Sequence, residues 1–310
     1  MSRLIRVLAA LVLICLVIIL YAAYWFTPAE DRTYESRYLK SITSSFLTTD
    51  DFKIHYTHAG KGDPLILIHG GGTWLYSYRH NLPTLSQKFS VYALDMPGHG
   101  YTVPLGKTPR YDFETMSRIL LEFMNRQRIE KAILVGHSWG GSWTIYFTYK
   151  HPERVKKLIL IGSSGLNVPD ILTWELLKYP IIGELISKFF TTDDVKRGLE
   201  SIFFHKELVT SEMIQEIRTP LTFIVNRKAQ YLFKRNLNMK LTERAMSQIR
   251  TPTLIIWGAN DEQLPVELSK RFKELIPNAE LIVLDDCGHA AHEEYPDKVN
   301  QLIIDFLMDN

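Results

Sequence analysis

With 310 residues, 46% hydrophobic and 23% charged, the chain has enough apolar mass for one large domain or two small ones. The net charge of +2 comes from Arg3 and Arg6; beyond them acids and bases balance, so no basic stripe marks a nucleic-acid partner. The two cysteines, Cys15 and Cys287, cannot build a disulfide framework, and Cys15 lies in an apolar stretch that keeps it from Cys287.

Val7 to Phe26 is twenty residues without a charge, amide, glycine or proline. As a helix it would cover about 30 Å, the hydrocarbon thickness of a bilayer. Tyr21, Tyr24 and Trp25 gather at one end, where amphipathic rings favour the interface. A cleaved secretory signal has a shorter apolar core and a small-x-small cleavage site; here Ala22-Ala23 is bracketed by tyrosines. Residues 1–26 are therefore expected to be an uncleaved single-pass membrane helix, followed by a polar linker over 27–43. The immediate flanks, Arg3 and Arg6 before and Glu30 and Asp31 after, favour a cytoplasmic amino terminus and an extracytoplasmic domain. Arg32, Arg37 and Lys40 weaken that preference.

Phe46 to His58 reads as an antiparallel pair turning at Thr49-Asp50-Asp51. Short apolar runs follow at 65–69, 91–95, 132–136, 158–162, 253–258 and 280–284. Helix-compatible stretches separate most of them: 77–88, 113–128, 139–149, 266–275 and 297–307. Such alternation predicts an α/β architecture, a mainly parallel sheet with helices on both faces. Between 163 and 246 the alternation stops. Apolar residues there recur at helical spacing, with only Leu221 to Val225 ambiguous as a strand. The expected organisation is a core over 44–162, a helical lid over 163–246, and the rest of the core over 247–310.

Ligands on such sheets bind beyond the carboxyl ends of the strands. Gly136-His137-Ser138-Trp139-Gly140 stands at one of those ends, between an apolar run and a helical stretch. Glycines two before and two after a serine relieve a turn that pushes its hydroxyl outward. Acyl transfer also needs a base, an acid to orient it, and donors for an oxyanion. His289 follows the last strand and Asp261 the one before it, with Asp285 or Asp286 as less favoured acids. Oxyanion donors would be the backbone N–H of Trp139 and of Gly71, with Gly72 close behind. His137 and His99 read as structural. His289 and His292 could begin a metal clamp, but no third ligand has suitable spacing, so no metal is expected.

These motifs resemble the α/β-hydrolase superfamily over about 46–308, with Leu94-Asp95-Met96-Pro97-Gly98-His99-Gly100 matching its turn after the fourth strand. The order Ser138, Asp261, His289 is that of its catalytic triad. The resemblance implies a Ser-His-Asp hydrolase without a cofactor. Departures narrow it. Epoxide hydrolases carry aspartate where Ser138 stands. Carbon–carbon bond hydrolases of this fold usually carry tryptophan after the catalytic histidine, where this chain has Ala290. Prolyl aminopeptidases share Gly-x-Ser-Trp-Gly-Gly, but typically carry proline in the oxyanion loop and need lid acids; Glu175, Glu184 and Glu200 are available. The expectation is hydrolysis of a small-molecule carboxylic ester, apolar and of the acyl-chain or monoglyceride-like kind, delivered from the membrane. An inactive membrane-tethered binding protein on the same fold is the reading from another class.

Overall fold

The computed structural model describes residues 2–106 and 109–308. Helix α1 (Ser2–Tyr24) is long, apolar and bare: every side chain from Leu4 to Ile19 is exposed. The following segment leads into α2 (Arg37–Ser41), where the Ser36 hydroxyl accepts the Leu39 amide at 3.0 Å. A hairpin of β1 (Ser44–Thr48) and β2 (Phe52–Ala59) closes through the Thr49 amide on the Phe52 carbonyl at 2.7 Å.

Strand β3 (Pro64–Ile68) runs to a 3₁₀ turn at Leu75–Tyr78, then to a single-turn α3 (Leu82–Leu85) and β4 (Ser90–Leu94). A single helix over 77–88 was expected. Instead the turn buries Tyr76 and Tyr78, and Pro83, which lacks an N–H, stands in the first turn of the new helix. A two-residue β5 (Val103–Pro104), too short to leave a sequence pattern, pairs with β2. Helix α4 (Phe113–Arg126) begins at Asp112, whose carboxylate accepts the Thr115 amide at 2.9 Å. Next come β6 (Ala132–His137), α5 (Trp139–Lys150) and β7 (Val155–Ile161).

Six helices then intervene, with no strand among the described residues: α6 (Leu172–Leu176), α7 (Ile182–Lys188), α8 (Thr192–Glu200), α9 (Ser211–Leu221), α10 (Ile224–Asn236) and α11 (Met239–Met246). The ambiguous run 221–225 is the break between α9 and α10, not a strand. The chain returns through β8 (Thr253–Gly258), α12 (Glu267–Leu275), β9 (Ala279–Leu284), α13 (Ala291–Glu294) and α14 (Pro296–Met308).

The strand order is β1-β2-β4-β3-β6-β7-β8-β9, antiparallel at β1-β2-β4 and parallel from β4 onward. β6 and β8 are buried along their whole length, which explains runs such as Thr253-Leu254-Ile255-Ile256 without polar alternation. One face packs on α4, α5 and α12 through residues such as Leu120, Phe147 and Phe272. The other packs on α3 and α14 through Leu85, Val299 and Ile303. Helices α6–α11, the cap, are inserted between β7 and β8: Trp174 of α6 and Phe233 of α10 meet Trp139 beside the carboxyl end of β6, while Ala245 and Met246 of α11 join the core face that carries α5.

The segment after α1 is not a free linker. It is strapped to the cap by groups that local sequence patterning does not connect. The Glu216 carboxylate on α9, buried, accepts the Tyr34 hydroxyl at 3.0 Å, the Ser36 hydroxyl at 2.7 Å and the Tyr38 amide at 3.2 Å. Asp31 pairs with Arg218, and its amide donates to the Thr222 hydroxyl at 2.9 Å. Arg227 donates to the carbonyls of Pro28 and Ala29 at 2.7 and 3.0 Å. Glu30 accepts the Ile224 amide at 2.8 Å, capping α10. Glu216→Ala leaves three donors without their acceptor. It is expected to cost about 3 kcal/mol in a urea melt and to open residues 27–36 to limited proteolysis.

Candidate functional site

Ser138 sits at the junction of β6 and α5 with φ 50° and ψ −119°, a conformation that side-chain-bearing residues rarely adopt. Such strain costs on the order of 1–3 kcal/mol and persists only where the surroundings over-determine it. Here they do. The Ser138 amide donates to the Ile161 carbonyl at 3.1 Å, and its own carbonyl accepts Gly141 N at 2.9 Å and Ser164 N at 3.0 Å. The flanking glycines serve close approach: a Cβ on Gly140 would lie 2.4 Å from the Ile68 carbonyl oxygen and 2.5 Å from that of His69. Alanine in a helix is otherwise favoured over glycine by about 1 kcal/mol. The overlap outweighs that gain, so Gly140→Ala should lower stability by about 2 kcal/mol, read by thermal or urea unfolding.

His289 and Asp261 come from the loops after β9 and β8. Their side chains meet at 2.7 Å, His289 Nδ1 to Asp261 Oδ2, and the two residues are 4% and 6% exposed. Asp261 Oδ1 accepts the amides of Gln263 and Leu264 at 2.9 and 2.8 Å, which fixes the carboxylate. Since a carboxylate only accepts, Nδ1–H donates and the His289 lone pair is left on Nε2. The imidazole packs on Gly162, where a Cβ would lie 3.1 Å from Nδ1, and Gly162 follows the Ile161 that holds the Ser138 amide. Ser138 and His289 thus share one stretch of the sheet's carboxyl edge. Asp285 and Asp286 are exposed at the surface.

The glycine loop passes beside Ser138: a Cβ on Gly70 would lie 3.1 Å from Ser138 Cβ, and one on Gly71 would fall 2.6 Å from the Trp139 indole. Gly71 and the Trp139 ring are therefore in close contact. Trp139 is in turn walled by aromatic residues of the cap, Trp174 at 5.1 Å and Phe233 at 5.5 Å between ring centroids.

Two carboxylates brace the site that sequence patterning does not single out. Glu294 accepts the Gly288 amide at 2.7 Å and those of Phe204 and His205 at 2.9 and 3.0 Å, tying the histidine loop to the cap. Burial raises its pKa, and the three backbone donors oppose that rise. Asp95 accepts the Leu75 and Tyr101 amides at 2.8 Å each and His55 Nδ1 at 2.7 Å, locking the glycine loop to the turn after β4. His137 supports the site from behind, its Nε2 3.1 Å from the His289 carbonyl oxygen. Burial, reinforced by neighbouring histidines, pushes its pKa well below the usual range, so it is neutral and donates there. His99 is likewise driven low by burial and packs edge-on to Trp143 and tilted against Phe233. His292, pushed down to about 3 by burial, packs on His137 and Tyr78 rather than reaching outward with His289.

A sheet of this order, with a serine on a strained strand–helix turn and a buried imidazole–carboxylate pair at neighbouring strand ends, defines an α/β-hydrolase. The family model for the alpha/beta hydrolase fold matches residues 63–193 and 209–296, and the chain belongs to that family. It is 30% identical over 285 residues to 2-hydroxy-6-oxononadienedioate/2-hydroxy-6-oxononatrienedioate hydrolase of Comamonas testosteroni, covering 86% of this chain and 97% of the relative. It is 28% identical over 256 residues to the uncharacterized hydrolase YugF of Bacillus subtilis (strain 168), covering 82% and 92%. Among solved structures, the meta-cleavage product hydrolase CumD from Pseudomonas fluorescens IP01 superposes with a TM-score of 0.73 at 26% identity, over 86% of this chain and 98% of that one.

Proposed function

We propose that the protein is a serine hydrolase of carboxylic esters with an apolar acyl part, tethered to a membrane by α1. What supports the reading is the strained Ser138 at one strand end together with a His289 imidazole whose Nδ1 is held by buried Asp261 at the same edge of the sheet. In this mechanism His289 Nε2 takes the Ser138 proton as the hydroxyl attacks the ester carbonyl, and Asp261 steadies the imidazolium. The backbone N–H groups of Gly71 and Trp139 stabilise the oxyanion; loss of one such donor typically costs about 3 kcal/mol of barrier. His289 then protonates the departing alcohol, and water repeats the cycle on the acyl-enzyme. The apolar substrate preference rests on the Trp139, Trp174 and Phe233 wall.

The cap's charges support esters over the alternatives. An aminopeptidase needs a free lid acid for the substrate amine. Glu184 is held by Arg235 at 2.8 Å through both oxygens, Glu175 pairs with Lys178, and Glu200 with Lys196. A second reading, carbon–carbon bond hydrolysis, is favoured by the names of the relatives, such as 2-hydroxy-6-oxo-6-phenylhexa-2,4-dienoate hydrolase of Burkholderia cepacia. A dienoate is a carboxylate, which a cap cation would best hold. Arg218 is bound to Asp31, Arg227 to the Pro28 and Ala29 carbonyls, Arg235 to Glu184 and Lys234 to Asp170. The residue after His289 is a fully buried alanine, Ala290, with no aromatic ring to offer.

The test is a panel of p-nitrophenyl esters of increasing chain length, a prolyl arylamide, and 2-hydroxy-6-oxo-6-phenylhexa-2,4-dienoate. Ester turnover rising with acyl length is expected. Cleavage of the dienoate or the arylamide with no ester turnover would overturn the proposal.

A further inference from the structure

The short helix α6 packs over the residue that follows Ser138. α6 turns Trp174 inward against Trp139, its ring edge 3.6 Å from where a Cβ on Gly72 would lie. Two residues earlier, Leu172 is 73% exposed. Tyr179, Ile182 and Phe189, further along the same α6–α7 stretch, are exposed as well. Four large apolar side chains of one short stretch, 172–189, thus face solvent, the apolar patch of the cap.

The patch runs directly into the end of α1. Phe26 stacks on Phe189 with centroids 5.8 Å apart and planes 3° from parallel, and Ala23 is buried there at 1% exposure. Lys188 of α7 donates to the carbonyls of Ala22 and Phe26 at 3.2 and 2.8 Å, placing a cation where α1 ends and its last carbonyls lack intrahelical partners. Arg235 pins the hairpin from below through Glu184 and the carbonyls of Lys178 and Tyr179, both at 3.1 Å. The strap from Pro28 to Tyr38 fixes the same helix to α9 and α10. The membrane-length helix is thus fastened to the cap, and the cap's exposed apolar residues lie where that helix stops.

We propose that the face formed by Leu172, Tyr179, Ile182 and Phe189 rests in the interfacial layer of a lipid bilayer, so that substrate reaches Ser138 past α6 from the lipid side. The inference rests on the tether reading of α1 and adds the orientation of the domain and the route of access. Tyr24 and Trp25 at the end of α1, with Tyr179 in the patch, are the ring types that populate a membrane interface. Lipid is favoured over a second copy of the chain because the patch meets, at Phe189, the end of a helix whose side chains from Leu4 to Ile19 are all exposed.

The experiment uses the full chain in phosphatidylcholine vesicles, with a polarity-sensitive fluorophore on one cysteine at a time and nitroxide-labelled phosphatidylcholine as quencher. Sites are native Cys15 in α1, and Leu172→Cys or Glu130→Cys in a Cys15→Ser background; Cys287 is buried. The expected result is blue-shifted, lipid-quenched emission at 15 and at 172, with water-like emission at 130. Quenching at 15 with water-like emission at 172 would overturn the proposed surface and leave the tether standing. Water-like emission at both would overturn surface and tether together. A blue shift at 172 that lipid does not quench would mean that protein covers the patch, and would also reject the proposal.

Discussion

Replacing Ser138 by alanine is expected to lower ester kcat by on the order of a million-fold, to the level left by binding and oxyanion donors alone. Fluorophosphonate labelling should vanish with it. The fold should survive, because the bonds that hold the elbow run through the Ser138 amide and carbonyl, not its hydroxyl. A companion variant separates strain from chemistry. Ser138→Gly loses activity equally, yet glycine accepts φ 50° without the Cβ penalty, so its unfolding free energy should exceed that of Ser138→Ala by about 1 kcal/mol. Circular dichroism melts and a labelling gel read both outcomes.

Asp261→Asn is the second large effect. The carboxylate accepts three donors: His289 Nδ1–H and the amides of Gln263 and Leu264. An asparagine keeps one oxygen for the backbone amides but can offer its NH₂ to the imidazole, which then must accept at Nδ1 and carry its proton on Nε2. The wrong nitrogen faces the serine. A fall of about ten-thousand-fold in kcat, with a much smaller change in KM, is expected. Steady-state kinetics on the same ester, alongside a melt showing retained folding, distinguishes this from simple loss of structure.

Much of this architecture was legible in the sequence because its signals are local. Uninterrupted aliphatic runs such as Ala132–Val135 mark strands covered on both faces, and a parallel sheet confines candidate chemistry to their carboxyl ends. Ser138, Asp261 and His289 could therefore be singled out as candidates from the Gly-x-Ser-x-Gly motif and from their places after strands. The helix over 77–88 failed for a local reason too: Pro83 and the buried Tyr76 and Tyr78 favour a turn and a new start. What stayed hidden is long-range. Glu216 engages residues some 180 positions earlier in the chain, turning a supposed linker into a strap. Glu294 closes on the cap at Phe204 and His205, and no spacing rule links a surface-type residue near one end of the core with a cap loop. The inward face of the cap, Trp174 and Phe233, could be separated from its many outward aromatics only by three-dimensional contact with Trp139.

Trapping the covalent intermediate tests the central claim most directly. The full chain is mixed with a p-nitrophenyl ester, quenched in acid during the pre-steady-state phase, digested and mapped by mass spectrometry. An acyl group on the peptide carrying Ser138, appearing with a burst of p-nitrophenol and absent in Ser138→Ala, is the predicted result. Steady ester turnover with no acylated peptide, or with the acyl group on another residue, would contradict it.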